Sequence, residues 1–427
     1  MIRLRVWANA RPMGWFGHAA GEYFFEYDPQ WLTQPGGYVL APQFALSGGR
    51  LGERFTGTLV RSYFENLLPE GGALDDVVSA LALRDPSPFE LLGQIGKDLP
   101  GVLSLLPEDA LPVLQQQYQP LPFSELSARL QSQKPLLVSN SSATMSLPGA
   151  QEKMGLRFDA PSKLLSISIG TSPTTHILKP DTRQRRYQPS AINEYACMKL
   201  ARAIKLPVPE VWLLRVPEAA YVVKRYDRVS VAGSIVSLHQ FDGCQMLGHG
   251  SGWKYQRQGG LVSLPKLVAA LRSLRVRGGD MLQLQRWVMF NYLIGNADAH
   301  AKNLSVLVDT EGFRLAPFYD LLCVRAYSDV GSDDGDGDLA LYIGDESRFD
   351  AVGAHSWEAL CSDCGFGFAP LLAEFRRMAV ALLPAWVKVT ERITKEQPTT
   401  PAERALLARM THVFEAQCAA ALSMTQR

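Results

Sequence analysis

Two kinds of apolar spacing divide this chain, and their order limits the fold most strongly. Up to about residue 228, many short runs alternate apolar and polar residues, which is typical of strands. Such runs occur at residues 2–6, 23–27 and 38–40. After Val236, apolar residues recur every three or four positions, as in amphipathic helices. This second spacing occurs in residues 261–275, 280–295 and 355–425. The chain is therefore predicted to be α+β.

Changes in composition predict three domains within the 427 residues. Residues 1–105 form a β-rich subdomain that includes a more helical stretch from Phe55 to Glu90. Residues 106–228 form a strand-rich small lobe, with one helix at 192–204 and a strand at 208–214. Residues 229–427 form an all-helical large lobe. This order is that of a bilobal protein-kinase-like fold, although fold order alone establishes no activity.

The overall charge argues against direct nucleic-acid binding. The formal net charge is +1, so a basic domain that could follow a phosphate backbone is not expected. The first ten residues lack the apolar core of a signal peptide, and no apolar run is long enough to span a membrane. The six cysteines are typical of reduced thiols, and a cytoplasmic location is expected.

The most informative segment is residues 290–307, FNYLIGNADAHAKNLSVL. A helix is predicted to end near Gly295 and to be followed by a polar loop. Asp298 and Asn303 have the spacing of a kinase catalytic loop, where Asp orients the attacking hydroxyl and Asn binds a metal ion. Seventeen residues after Asn303, Asp320 closes APFYD at the distance of a second Mg²⁺-binding carboxylate. The alternative is a polar turn capping two helices, but Asp320 favours catalysis.

A lysine at the end of the apolar strand 176–179 is a candidate for binding nucleotide phosphates. A buried strand rarely tolerates a lysine unless its charge is used, and the α- and β-phosphates of a nucleotide would use Lys179. Glu194, on the following helix, is its candidate ion-pair partner. The alternative is a lysine at a strand end that reaches into solvent.

Two loops are candidates for the rest of a nucleotide site. In residues 146–153, SLPGAQEK, Gly149 lets backbone N–H groups approach phosphate oxygens and Lys153 adds charge; the alternative is an ordinary Pro-Gly turn. Residues 222–228 lead from a strand into the connection between lobes, where an adenine would meet backbone groups. Tyr226 would contact the adenine there, or it simply packs in the loop.

Together these motifs resemble the HipA family of type II toxin–antitoxin kinases. The matching stretches are FENLLPEG (64–71), SLPGAQEK (146–153), THILKPD (175–181), NEYACMKLA (193–201), KRYDR (224–228), LIGNADAHAKN (293–303) and LAPFYD (315–320). They cover the N-terminal β-rich region as well as the kinase core, and their ordered series is specific.

The resemblance implies a role for each matching residue. Asp298 would be the catalytic base, and Asn303 and Asp320 would bind Mg²⁺. The residues implied to bind ATP are Pro148, Gly149, Ala150, Gln151, Glu152, Lys153, Lys179, Lys224, Arg225, Tyr226, His300, Tyr319 and Asp320. Ser146 matches a serine whose autophosphorylation inactivates the kinase. Lys224 stands where an acidic residue is expected, so the adenine contacts are expected from backbone groups.

The resemblance also implies partners. These are a small HipB-like helix-turn-helix antitoxin, which would supply DNA binding, and a protein substrate among the translation components, notably an aminoacyl-tRNA synthetase. Two alternatives use the same motifs: a small-molecule kinase, and a catalytically silent co-repressor acting with a DNA-binding protein. The intact set of Asp298, Asn303, Asp320 and Lys179 argues against the silent form.

Overall fold

A computed structural model describes residues 2–46, 52–132, 135–136, 146–309, 312–328 and 337–425. The chain forms two compact units. The amino-terminal unit comprises Met1–Pro180, Leu214–Ser251 and Val306–Phe313. The carboxy-terminal unit comprises Asp181–Leu213, Gly252–Ser305 and Arg314–Arg427. The α+β class predicted from the sequence is confirmed, whereas the domain boundaries at 105 and 228 remain predictions.

The first sheet of the amino-terminal unit is antiparallel, in the order β4-β3-β2-β1-β5. Its strands are β1 (Ile2–Ala8), β2 (Arg11–Ala19), β3 (Glu22–Tyr27), β4 (Arg54–Thr56) and β5 (Leu103–Pro107). Three helices follow β4: α1 (Thr58–Glu65), α2 (Gly71–Ala80) and α3 (Pro88–Ile95). Phe16 of β2 stacks on Phe64 of α1 with ring centroids 3.9 Å apart, so the apolar face of the sheet packs on this helix.

The strand predicted at residues 38–40 is wrong, because the structure has no strand there. The backbone groups of this segment bond to side chains instead of to a neighbouring strand. The Tyr38 carbonyl accepts from the Trp31 indole (2.8 Å), and the Leu40 N–H donates to the Tyr27 hydroxyl (2.6 Å). Apolar residues in a buried loop gave the same sequence signal as a short strand.

A second, six-stranded sheet has the order β10-β11-β9-β7-β8-β6. Its strands are β6 (Tyr118–Pro120), β7 (Met154–Asp159), β8 (Leu164–Ser168), β9 (His176–Pro180), β10 (Val211–Arg215) and β11 (Ala219–Lys224). Helix α4 (Phe123–Gln131) follows β6, and α5 (Ser190–Ala203) lies where the sequence predicts a helix. Because β9 lies between β7 and β11, Lys179 is held in the interior of the sheet.

A buried cluster of four charges joins residues distant in sequence within the amino-terminal unit. Arg228 Nη2 donates to Asp98 Oδ1 (2.7 Å), and Arg225 Nη2 donates to Asp227 Oδ2 (2.8 Å). Thr174 Oγ1 also donates to Asp98 (2.7 Å). Burial by itself raises the pKa of Asp227, but the two arginines lower that pKa to about 2. The cluster therefore ties residue 98, just before β5, to the KRYDR segment.

The carboxy-terminal part of the chain is helix-rich, as predicted. Its helices are α6 (Gly243–Leu247), α7 (Leu264–Ser273), α8 (Gly278–Leu293), α9 (Ala354–Cys364), α10 (Phe368–Glu396) and α11 (Pro401–Met424). Trp287, Trp357 and Trp386 are almost completely buried among them. Within the described residues, no helix is long and apolar enough to cross a membrane.

The description of residues 229–427 as all-helical is too strict. They also contain most of β12 (Arg228–Val231), and β13 (Ser234–Ser237), β14 (His239–Asp242), β15 (Ser305–Asp309), β16 (Gly312–Leu315), β17 (Asp338–Ile343) and β18 (Glu346–Arg348). The hairpin β17–β18 also binds the irregular segment that contains Gln256. The Ala340 carbonyl of β17 accepts from the Gln256 N–H (2.9 Å).

Candidate active site

Helix α8 ends where the sequence predicts, and a glycine is required at that point. Gly295 has a φ of +64°, and a Cβ placed there would lie 2.8 Å from Val413 Cγ1. Both the left-handed backbone and the close approach of α11 favour glycine. The chain therefore turns sharply out of α8 into the loop 296–304, called the catalytic loop below.

Asn296 fixes the start of the catalytic loop, a role that the sequence reasoning missed. Its side chain is buried; Nδ2 donates to Asn291 Oδ1 (2.7 Å) and to the Asp320 carbonyl (3.4 Å). Its Oδ1 accepts from the Asp298 N–H (3.1 Å). One amide side chain thus connects α8, the candidate base and the APFYD segment. The only sequence signal was a polar residue directly after the helix-ending glycine.

The two predicted magnesium ligands are brought together. Asn303 Nδ2 donates to Asp320 Oδ2 (3.2 Å), and Asn303 Oδ1 accepts from the His300 N–H (3.0 Å). Asp320 has a φ of +52°, which is costly for a residue with a side chain and is common at functional sites. The surrounding hydrogen bonds hold this backbone in place.

The chemistry of this pair fits Mg²⁺. Among the described residues no group of three or more His, Cys, Asp or Glu side chains could hold a metal. Mg²⁺ needs no such group, since it is usually bound by one or two carboxylates together with substrate phosphates and water. Asp320 has carboxylate oxygens for this arrangement, and Asn303 has an amide oxygen that accepts from the His300 N–H here and would bind Mg²⁺ through its second lone pair.

Asp298 has a partner that the sequence reasoning did not identify. The Tyr255 hydroxyl donates to Asp298 Oδ1 (2.6 Å), and the Tyr255 and His300 rings meet edge to face with centroids 5.2 Å apart. The Lys254 carbonyl accepts from the Ala301 N–H (3.2 Å). The irregular segment that carries Tyr255 therefore docks on the catalytic loop, and no motif pattern in the sequence marks this contact.

Tyr319, predicted to bind ATP, contacts the end of the catalytic loop. Its hydroxyl donates to the Lys302 carbonyl (2.6 Å) and lies 2.6 Å from Ser305 Oγ. His300, predicted to lie near the nucleotide, is buried within the same loop. These contacts stabilise the loop, and the ATP contacts of both residues remain predictions.

The loop 146–153, called the nucleotide loop below, is held by the FENLLPEG segment. Ser146 is completely buried, and its hydroxyl donates to the Leu67 carbonyl (2.6 Å). Gly149, at a φ of +110°, pairs with Pro69 in an isolated parallel bridge, and its carbonyl accepts from the Glu70 N–H (3.2 Å). Lys153 Nζ donates to the Pro148 carbonyl of the same loop.

Lys179 is buried in β9, as the sequence predicts, with 5% of its surface exposed. Its Nζ lies 5.8 Å from the ring centroid of Tyr221 on the neighbouring strand β11. A lysine buried this deeply requires compensation for its charge, and an anionic ligand is one group that can provide it. Its ion pair with Glu194 remains a prediction.

In the predicted adenine hinge, residues 224–226, the Arg225 side chain points into the buried charge cluster. The Arg225 guanidinium belongs to the buried charge cluster, and the Arg225 N–H donates to the Thr175 carbonyl (2.9 Å). Tyr226 bonds through its hydroxyl to Gln240 Oε1, and Lys224 is exposed. The side chain of Arg225 thus stabilises the hinge, and the adenine contacts of residues 224–226 remain predictions.

The chain has Asp298 and Asn303 on one loop, Asp320 beside Asn303, and Lys179 buried in a strand. In an α+β chain, these features are typical of a protein-kinase-like fold. The comparisons with known proteins support this class. Residues 145–388 match the HipA-like C-terminal domain, and residues 4–106 match the HipA N-terminal domain. The chain belongs to the HipA family, and the resemblance predicted from the motifs is confirmed.

Individual relatives cover nearly the whole chain. The protein Y4mE of Sinorhizobium fredii, whose name provisionally describes it as a kinase, is 33% identical, with 92% of each chain covered. The serine/threonine-protein kinase toxin HipA of Shewanella oneidensis is 29% identical, with 85% of this chain and 83% of that protein covered. A solved complex of Shewanella oneidensis HipA, HipB and operator DNA matches with a TM-score of 0.83 and 25% identity, covering 99% of this chain and 98% of that one. The kinase-like fold is thereby confirmed.

Proposed function

We propose that this chain is a protein serine/threonine kinase that transfers the γ-phosphoryl group of ATP and acts as the toxin of a type II toxin–antitoxin pair. The observation that carries the proposal is the catalytic loop, in which Asp298 is held by hydrogen bonds while Asn303 and Asp320 lie 3.2 Å apart. A relative 29% identical over most of the chain is named a serine/threonine-protein kinase toxin. The motifs and the name therefore agree.

Each residue would contribute to transfer in a distinct way. The Asp298 carboxylate accepts the proton of the substrate hydroxyl and orients its oxygen toward phosphorus. Asn303 and Asp320 would hold Mg²⁺, which would supply positive charge against the phosphate oxygens. Lys179 binds the α- and β-phosphates, while backbone N–H groups of residues 148–153 surround the phosphate oxygens. Residues 224–226 bind the adenine.

We also propose autophosphorylation at Ser146 as the means of inactivation. The hydroxyl is buried and bonded to Leu67, so a phosphate cannot be added while the nucleotide loop stays in this position. The loop must leave the FENLLPEG segment before it reacts. A phosphate with nearly two negative charges then cannot return to a buried site, and the loop loses its ATP-binding position.

The proposed partners are a HipB-like helix-turn-helix antitoxin and a protein substrate of the translation machinery. The solved structure with TM-score 0.83 holds HipA together with HipB and operator DNA. With a formal net charge of +1, this chain is expected to reach DNA only through the antitoxin. An aminoacyl-tRNA synthetase is the substrate to examine first.

Asp298→Asn tests the proposal, with Asp363→Asn on the exposed surface of α9 as the matched control. We expect Asp298→Asn to retain ATP binding while phosphoryl transfer falls about 100- to 10,000-fold, because the proton acceptor is lost. Phosphoproteins in a cell extract and growth of the host report the activity. Normal transfer by Asp298→Asn would contradict the assignment of the base. ATP turnover by wild type without any phosphoprotein would favour a small-molecule kinase.

A further inference from the structure

Tyr255 lies outside every motif that carries the proposed function, yet its hydroxyl is 2.6 Å from Asp298 Oδ1. We infer that Tyr255 is a positioning residue, which fixes the Asp298 carboxylate in the orientation needed for phosphoryl transfer. The inference rests on the proposed function, because it concerns the same base. It adds a residue from a segment more than forty positions earlier in the chain.

The segment around Tyr255 is anchored on two sides within the carboxy-terminal unit. On one side, the Lys254 carbonyl accepts from the Ala301 N–H of the catalytic loop (3.2 Å). On the other side, Gln256 bonds to β17 twice: its N–H donates to Ala340 O (2.9 Å) and its Oε1 accepts from the Tyr342 N–H (3.0 Å). Tyr255 lies between these anchors, so its backbone has little freedom to move away from the loop.

The ring of Tyr255 is held as well. It meets the His300 ring edge to face at 5.2 Å, and the guanidinium carbon of Arg257 lies 4.5 Å from its centroid. The Lys254 ammonium lies 5.3 Å from the same centroid. Contacts of an aromatic ring with cations and with a second ring each stabilise one orientation. The hydroxyl is therefore directed at Asp298 before any substrate binds.

A fixed donor matters because the terminal torsion of an aspartate is soft. Rotation about that bond has broad minima, so an unrestrained carboxylate samples many orientations. The 2.6 Å contact with the Tyr255 hydroxyl is in the range of a charge-assisted O–H···O⁻ bond, and it sets the plane of the carboxylate. Tyr255 keeps its own proton throughout, and it acts on the reaction only through Asp298.

Tyr255→Phe removes the hydroxyl and retains the ring. We expect kcat for phosphoryl transfer to fall about 10- to 100-fold, the usual consequence of losing one hydrogen bond to a charged group. The KM for ATP and the ATP dissociation constant should stay at the wild-type values, since the nucleotide-binding candidates keep their contacts. Tyr195→Phe in α5 is the control, because the Tyr195 hydroxyl has no hydrogen-bond partner among the described residues and Tyr195 lies outside the Tyr255 segment.

A double-mutant cycle separates positioning from a structural role. In the Asp298→Asn background, measured by single-turnover transfer over hours, Tyr255→Phe should cause no further loss. Wild-type kcat in Tyr255→Phe, or a higher kcat, would overturn the inference. An equal loss in both backgrounds, or lower ATP affinity together with a lower Tm, would also overturn it by showing a structural role. An inactive wild-type protein would instead contradict the proposed function.

Discussion

The nucleotide loop and the catalytic loop are held in different ways. The nucleotide loop bonds to segments that are distant in sequence: to residues 67–70, to the Leu136 N–H through Glu152 (3.0 Å) and to the Pro180 carbonyl through Gln151 (3.4 Å). The catalytic loop is crossed by side-chain hydrogen bonds from Asn296, Asn303 and Tyr319, and it is docked against Tyr255. Bonds to separate segments can be broken when those segments move apart, whereas side-chain bonds that cross a loop fix its geometry.

This difference matches what the proposed function asks of each loop. A base and two metal ligands act only when they are held in place before the reaction, so a rigid loop favours transfer. A loop that carries its own modification site must be able to leave its position. In the nucleotide loop, the Ser146 hydroxyl donates a buried hydrogen bond to the Leu67 carbonyl, and this bond must break before the loop can leave.

The largest expected effect on ATP binding comes from removing Asp320, the candidate metal ligand beside the catalytic loop. In Asp320→Ala we expect ATP to bind at least about 100-fold more weakly in Mg²⁺ buffer, because the phosphates lose the cation that this carboxylate holds. Titration calorimetry in Mg²⁺ and in EDTA measures the effect. Wild type and variant should bind alike in EDTA. An unchanged dissociation constant in Mg²⁺ would remove Asp320 from the metal site.

A pair of glycine variants sharpens the comparison. Gly295→Ala should lower the free energy of unfolding by about 2–3 kcal/mol, because its Cβ meets Val413 and its φ is left-handed. Gly149→Ala is also strained at its φ of +110°, but the nucleotide loop can relieve this strain by leaving its position, so the main effect should be weaker ATP binding with less loss of stability. Urea unfolding and calorimetry distinguish the two. Equal losses of stability would show that both loops are equally rigid.

Lowering the pH should destabilise the amino-terminal unit, which carries the nucleotide loop. Burial lowers the pKa of His239 to about 4 and that of His176 to about 4, so the unfolded chain binds more protons below pH 6.5. The stability from each neutral histidine is complete above about pH 6.5 and is lost as the pH falls toward 4. For His239 the loss is about 2 kcal/mol at pH 5.

His239→Gln tests this pH dependence, since a glutamine can still donate to the Leu40 carbonyl that His239 Nε2 contacts at 2.8 Å. The urea midpoint of wild type should decrease from pH 7 to pH 5, and the decrease should be smaller in the variant. Parallel curves for the two proteins would show that His239 titrates normally in the folded state.

The smallest expected effect concerns Ser146. Ser146→Glu places a carboxylate where the structure has a buried hydroxyl, so the nucleotide loop should leave its position and ATP should bind about tenfold more weakly. Ser146→Ala should carry no phosphate at this site in mass spectra, and the loss of its bond to the Leu67 carbonyl should disturb the loop and lower activity less than Ser146→Glu does. Phosphate on Ser146 in Asp298→Asn protein would indicate modification by another kinase.

Much of the fold could be predicted from periodicity, and the motifs located both loops. The end of α8 at Gly295 and the burial of Lys179 followed from patterns of a few neighbouring residues. The strand at 38–40 was wrong because a buried loop and a strand share the same apolar composition. Local patterns therefore identified elements and motif residues.

Contacts between distant residues were the part that the sequence did not reveal. Tyr255 and Asn296 have no distinctive spacing, and their roles depend on which elements pack together in three dimensions. Arg225 is another example. The motif predicts that it binds ATP, but no pattern in the sequence indicates that its side chain bonds to Asp98 and Asp227. A single sequence carries no signal for such pairs.

The buried charge cluster has a consequence for synthesis on the ribosome. Asp98 must wait for Arg228, which follows it by 130 residues, before its buried carboxylate has this partner. At about 5–20 residues per second, that interval lasts roughly 7–26 s. During this time the first sheet can form, but the chain after α3 holds a carboxylate that cannot yet be buried. Closure of the charge cluster is therefore timed by the arrival of KRYDR, although the amino-terminal unit also includes later residues up to Phe313, and a stop before residue 228 leaves Asp98 without Arg228.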